Sequence, residues 1–353
     1  MLVKRQVAFW AAALAGFIAA LWLLRDILLP FVAGLVLAYL LAPVTDRLER
    51  LGLKRVLAAL LIIGTFIVVL VVLVILLAPI LIGQLGGLAE NLPGYVSRLQ
   101  SLITDPNRPW LRKLLGATFD DAMIGDLVKQ ATGGLAAFVR SLWSGGQALL
   151  SVFSLLVITP VVAFYLMCDW PRMIDRIDGW LPRAQAPTIR ALAAEIDAAI
   201  AGYIRGQSGI CLILGSLYAV ALSILGLRFG LLIGVLTGIV SFVPYVGSFT
   251  GFVVAVGIAI AQFWPDWVPI AAVIGIFVVG QFLEGYVLSP YLVGRVVGLH
   301  PVWLMFALVA FGYLFGFVGL LLAVPLAAAT GVLARFALRQ YLASPLYTGE
   351  QPG

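Results

Sequence analysis

The chain has 353 residues, 63% of them hydrophobic and only 11% charged, with a formal net charge of +6. A soluble domain of this length needs far more charge on its surface, so the lipid bilayer must be its main solvent. The positive charge is spread over short connections and forms no basic block with interleaved aromatics, which argues for membrane orientation and against nucleic-acid binding.

About 20 apolar residues cross a bilayer core. Lys4 and Arg5 followed by Val7–Leu24 have the outline of a signal peptide, but the apolar stretch is too long and is expected to be an uncleaved first helix. Arg25-Asp26 makes a tight turn into Ile27–Val44, and Val56–Ile82, Ala148–Cys168 and Gly209–Leu227 follow as further spans. Three more apolar regions are Phe229–Trp264, Trp267–Leu283 and Pro301–Ala334. The first and last are too long for one span and carry internal Pro and Gly, so each is either two short spans or a re-entrant hairpin. The expected fold is an all-α polytopic membrane protein of about eight hydrophobic segments, with two Pro/Gly-broken segments in its C-terminal half.

Arg47, Arg50, Lys54 and Arg55 crowd the connection after the second span, while Lys4, Arg5, Arg335 and Arg339 mark the ends. The positive-inside rule then puts both termini in the cytoplasm. Residues 1–83 become scaffold helices, 84–147 an extracytoplasmic insert and 148–168 a membrane helix. Residues 169–208 become a cytoplasmic piece, 209–338 a transport region and 339–353 a cytoplasmic tail. Leucine and aromatic spacings of three and four in the insert, such as Leu85, Leu88 and Leu92, predict amphipathic helices, with "TDPNRP" at Thr104–Pro109 as a loop. Ile189, Leu192, Ile196, Ile200 and Tyr203 repeat the pattern in the cytoplasmic piece.

Cys168 and Cys211 pair with no His or Cys at metal-ligand spacing, and His300 is the only histidine, so neither a metal nor another cofactor is expected. "GQSG" at Gly206–Gly209 matches a G-x-S-G protease pattern, but one histidine leaves little to support a nucleophile. No P-loop occurs. An enzyme is the weakest reading.

The break in "SFVPYVGSFTG", Ser241–Gly251, is the stronger signal. Irregular backbone at membrane depth survives only where protein or a water-filled cavity satisfies it, and paired broken segments point to transporter sites. Candidate solute-binding residues are Pro244, Tyr245, Gly247 and Ser248 at the first break and Gly316, Gly319 and Pro325 at the second. Gln281 and Glu284 supply side-chain hydrogen bonds. Arg295 is placed to hold Glu284 or gate, and His300 to begin the helix after it. Gly226, Gly230, Gly234 and Gly238 recur every four residues, a stripe for tight static packing or for sliding.

Several segments together resemble the autoinducer-2 exporter family of bacterial membrane proteins. They are "ENLPGYVSRLQ", "FYLMCDWPRM…WLP" from Phe164 to Pro182, "YIRGQ" from Tyr203, "SFVPYVGSFTG" and "QFLEGYVLSPYLVGRVVGLHPVW…FGFVGLLLAVPLA". The resemblance spans most of the chain in order. It implies an eight-helix transporter with both ends cytoplasmic, a homo-oligomer of plausibly five copies, and elevator-like movement of part of each protomer. It also makes "GQSG" a family feature. Family members are functionally mixed, some resembling sodium or lithium/proton antiporters. The expected function is secondary transport that exports a small polar solute, autoinducer-2-like, across the cell membrane. The alternatives are cation/proton antiport through Glu284 and a non-transport oligomeric scaffold.

Overall fold

The computed structural model describes residues 16, 20, 22–24, 27–103, 146–293, 300–344 and 347. Most of the first span, most of the extracytoplasmic insert with its "TDPNRP" loop, and Arg295 lie outside these residues. All regular structure among the described residues is helical: α1 Leu28–Arg50, α2 Arg55–Ile103, α3 Gly146–Gly179, α4 Ala186–Ile224, α5 Gly230–Val240, α6 Val246–Phe263, α7 Trp267–Phe282, a π-helix Leu283–Val293, and α8 Pro301–Leu342. Seven of these helical stretches are long and apolar enough to cross a membrane, and α5 is a shorter apolar helix. The polytopic all-α architecture is the one composition demands, because only helices and closed barrels satisfy every backbone group inside lipid.

The helices run on where hydropathy changes. Pro79 and Pro93 lie inside α2, which continues as one helix to Ile103. The 39-residue α4 likewise joins the amphipathic Ile189–Tyr203 ladder to the following span without a break.

The chain forms two compact units. The first contains residues 1–65, 153–206 and 292–353. Within it Thr45 is fully buried and its hydroxyl approaches the Met167 sulfur at 3.4 Å. Arg55 donates to the Met167 carbonyl at 2.7 Å and pairs with Glu49 at 2.8 Å. Asp178 and Arg190 form a two-pronged ion pair, 2.6 and 2.7 Å, that ties the end of α3 to the start of α4.

In the same unit α8 is not one rod. Gly316 has φ 60°, ψ −138°, a left-handed position suited to glycine. A Cβ on Gly319 would fall on the Phe311 carbonyl oxygen, and one on Gly312 would meet Leu320 at 2.9 Å. Residues eight apart on a straight helix are ~12 Å apart along the axis. The chain therefore reverses at Gly316, and the second broken segment is a helical hairpin with arms 301–315 and 317–342.

The second unit contains residues 66–152 and 207–291. Here α5 and α6 form the first helical hairpin, and α6 packs against α7. The 11-residue α5 rises only ~16 Å, about half of a hydrocarbon core of ~30 Å. Side chains of α2 such as Val68, Val69, Leu73 and Leu76 are exposed, as a lipid-facing helix requires.

One expectation is corrected. Gly226 is not part of a helical stripe: it has φ +76° and closes the turn after α4. Phe229, also left-handed at φ 62°, then starts α5 in a new direction. The remaining glycines do form a stripe, and it is closely packed. A Cβ on Gly230 would meet the Leu222 backbone at 2.8 Å, and one on Gly238 the Cys211 carbonyl at 2.9 Å, while one on Gly234 would fall on the Ala219 nitrogen.

Candidate functional site

The turn between α5 and α6 covers Ser241 to Tyr245, with Pro244 half-buried inside it. Proline lacks an N–H and cannot continue α5, so the helix stops there. Tyr245 takes φ 68° at the start of α6, a conformation rare for a bulky residue. Strain of this kind persists only where the surroundings fix it, and it concentrates at functional sites. Gly247, two residues further on, is buried, and a Cβ there would fall on the Ser241 backbone.

Helix ends leave free N–H and C=O groups that lipid cannot satisfy. Three glutamines do so here. Gln84 of α2 accepts from the Leu232 N–H in the first turn of α5 at 2.9 Å. Gln207 of α4, 5% exposed, donates to the Ser241 carbonyl at the other end of α5 at 2.6 Å. Gln262 of α6 grips the turn before α5, accepting from the Arg228 N–H at 2.8 Å and donating to the Gly226 carbonyl at 2.9 Å. Sequence reasoning missed all three as structural partners. Their signal was an isolated amide inside or beside an apolar run.

Beyond the turn, the structure brings together three of the predicted residues. Ser248, buried in the first turn of α6, donates to Glu284 Oε2 at 3.0 Å. Gln281 on α7 donates to the same oxygen at 2.9 Å. Glu284 lies in the π-helix that prolongs α7, a rare conformation frequent at functional sites. Gly285 and Pro290 within this stretch disfavour a regular α ladder. Among the described residues no Lys, Arg or His lies within 4 Å of Glu284.

A cavity of about 440 Å³ adjoins this cluster, lined by Tyr245, Ser248, Phe249, Phe252, Phe277, Val278 and Gln281. Phe277 stacks on Tyr218 with centroids 4.5 Å apart, and Phe252 meets Phe277 edge-on at 5.8 Å. Polar groups at one end and aromatic walls elsewhere are typical of small-molecule sites. Tyr218 was not anticipated. It is fully buried against Gly280, where an added Cβ would collide with its hydroxyl. That hydroxyl lies within reach of Ser248 and Gln281, but no well-aligned hydrogen bond joins it to either. Tyr218→Phe is therefore expected to leave thermal stability in detergent unchanged or raise it by up to about 1 kcal/mol, since an unsatisfied buried hydroxyl is removed. A loss of more than that would show that the hydroxyl is paired in the folded protein.

The other predicted residues lie elsewhere. Gly316 and Gly319 form the bend of α8, and Pro325 is buried within its second arm, nine residues beyond Gly316. These three belong to the first compact unit, whereas Ser248, Gln281 and Glu284 belong to the second. His300 caps α8, its Nδ1 accepting from the Val302 N–H at 3.3 Å, with Pro301 at the first helical position.

A family model described as "AI-2E family transporter" matches residues 11–338. The chain is similar to "Putative transport protein YrrI" of Bacillus subtilis, 32% identical over 322 residues that cover 90% of this chain and 89% of the relative. "Putative transport protein YueF" of the same organism is 29% identical over 301 residues, 84% of this chain and 80% of the relative. "Putative permease PerM" of Escherichia coli is 29% identical over 328 residues, 91% of this chain and 90% of the relative.

Proposed function

Because the chain belongs to the AI-2E transporter family, we propose that it is a secondary transporter that exports a small polar solute by way of the α5–α6 hairpin tip. The observation that carries this reading is the Ser248–Glu284–Gln281 cluster beside an aromatic-walled cavity at a broken helix. Such a site offers a carboxylate, a hydroxyl and an amide to a hydroxylated solute, and aromatic faces to its carbon skeleton. In this reading the protein is a homo-oligomer, a pentamer, in the bacterial cell membrane with both termini cytoplasmic. The unit bearing the α5–α6 hairpin moves in an elevator-like manner.

Cysteine accessibility tests it. In a background with Cys168 and Cys211 replaced by serine, Ser248→Cys is expected to react with impermeant reagents from either side of the membrane, and a hydroxylated furanone is expected to slow the reaction. Complete protection from both sides, with or without the furanone, would sink the proposal.

A second reading is cation/proton antiport. It is favoured by Glu284, a carboxylate held by two neutral donors with no cationic side chain within 4 Å among the described residues. Such a group can exchange a proton for a small cation. Sodium-driven proton movement in proteoliposomes, present in wild type and absent in Glu284→Gln, is its signature.

A further inference from the structure

The first compact unit contains a different cavity, of about 200 Å³, where α1, α3 and α4 meet. This is below the ~300–1,000 Å³ of sites for drug-sized ligands and suits a headgroup-sized molecule. Its wall combines Tyr39, Asp46, Arg55, Trp170, Asp197 and Arg205. Arg55 is already neutralised, by Asp46 at 3.3 Å and Glu49 at 2.8 Å.

Asp197 and Arg205 are not. Asp197 accepts the Tyr39 hydroxyl at 2.7 Å, and Arg205 Nε donates to the Tyr39 carbonyl at 3.0 Å. Neither has an oppositely charged side chain within 4 Å among the described residues. The two stand eight residues apart on α4, so Tyr39 spans the gap between a carboxylate and a guanidinium that do not meet. A cavity that holds both charges apart is complementary to a molecule that carries both.

The level of the cavity says which molecule. Tyr39 and Trp170 meet edge-on with centroids 6.5 Å apart, and such amphipathic rings favour the headgroup zone. Arg47, Arg50 and Lys54 cluster at the same end of α1 and α2. Basic pockets between membrane helices on the cytoplasmic side take the phosphate-bearing heads of lipids, and Arg205 supplies the unneutralised cation here.

We propose that this cavity binds a phosphoester–ammonium zwitterion, the headgroup of phosphatidylethanolamine, with Arg205 on the phosphate and Asp197 on the ammonium. The site is separate from the Ser248–Glu284 cluster and does not depend on what is transported. Trp170 walls the headgroup from lipid, and the acyl chains stay outside in the bilayer.

Native mass spectrometry of the full-length protein in detergent tests it. Wild type is expected to retain phosphatidylethanolamine about tenfold better than its N-acetylated form, which lacks the ammonium, or phosphatidylglycerol. Arg205→Gln and Asp197→Asn are each expected to lower that retention by about tenfold, and Asp197→Asn to erase the preference over the N-acetylated lipid. Equal retention of the two ethanolamine lipids by wild type overturns the proposal without needing any variant to fold. So does undiminished retention by both variants. Glycerophosphoethanolamine displacing the lipid at equal concentration would overturn the lipid source and assign the cavity to a soluble zwitterion.

Discussion

Glu284→Gln is expected to cut solute flux in proteoliposomes by about ten- to a hundredfold while leaving the protein folded. The substitution keeps the shape of the side chain and removes its charge. Both donors, Ser248 at 3.0 Å and Gln281 at 2.9 Å, point at one carboxylate oxygen. Hydrogen bonds to a charged acceptor are worth about 1.5–3 kcal/mol against roughly 1 kcal/mol for neutral ones. The variant therefore weakens two bonds in the cluster and any bond a solute makes to the carboxylate. Flux of a hydroxylated furanone and of radiolabelled sodium, measured side by side, separates the two functional readings. Loss of furanone flux at every pH supports the solute transporter. Loss confined to sodium, together with its pH dependence, supports the antiporter. Unchanged flux of both would remove Glu284 from the mechanism.

Gly247→Leu is expected to abolish flux and to lower thermal stability by about 1–3 kcal/mol, the usual cost of forcing extra atoms into a packed site. The added Cβ falls on the Ser241 backbone and hydroxyl, which no change of rotamer relieves. The turn must open, and Ser248, the next residue, is carried away from Glu284. Gly247→Ala should already show much of the effect, because the collision is with Cβ itself. Gly257→Leu and Gly275→Leu are the controls: beyond the local backbone of its own helix, neither position has an atom within 4 Å of an added Cβ. Both controls should melt and transport like wild type. If Gly247→Leu does so too, the hairpin tip is not where the solute passes.

Much of this fold is legible in the sequence because lipid imposes one demand, and hydropathy reports it directly. The two breaks were visible in Pro244, Gly247 and Gly316, since such residues are costly inside a helix unless they turn the chain. Whether a broken run crosses or reverses was not visible. That depends on close approaches such as Gly319 to Phe311, and these are tertiary facts with no local pattern. Ser248, Gln281 and Glu284 stood out as polar groups in apolar surroundings, and they do meet. Tyr218 did not stand out, because a tyrosine in a membrane helix reads as an ordinary interfacial residue. Gln84, Gln207 and Gln262 were equally hard to assign, because a glutamine's role depends on whose backbone it reaches. Regular spacing also misled: Gly226 fits a four-residue rhythm, yet its positive φ places it in a turn.

The glycine stripe of α5 is a weld and not a bearing. Three consecutive contacts set the backbone of α5 directly against that of α4, leaving no layer of side chains to act as lubricant. With glutamines of α2, α4 and α6 also fastened to its ends or to the turn before it, α5 has no freedom to travel alone. Any stroke this unit makes must carry α5 and residues 207–224 of α4 as one piece. The π-helix that prolongs α7 is not part of this weld, and it carries Glu284 within it. In the proposed transport reading, the carboxylate that meets the solute is thus carried on an element that the α4–α5 weld does not include.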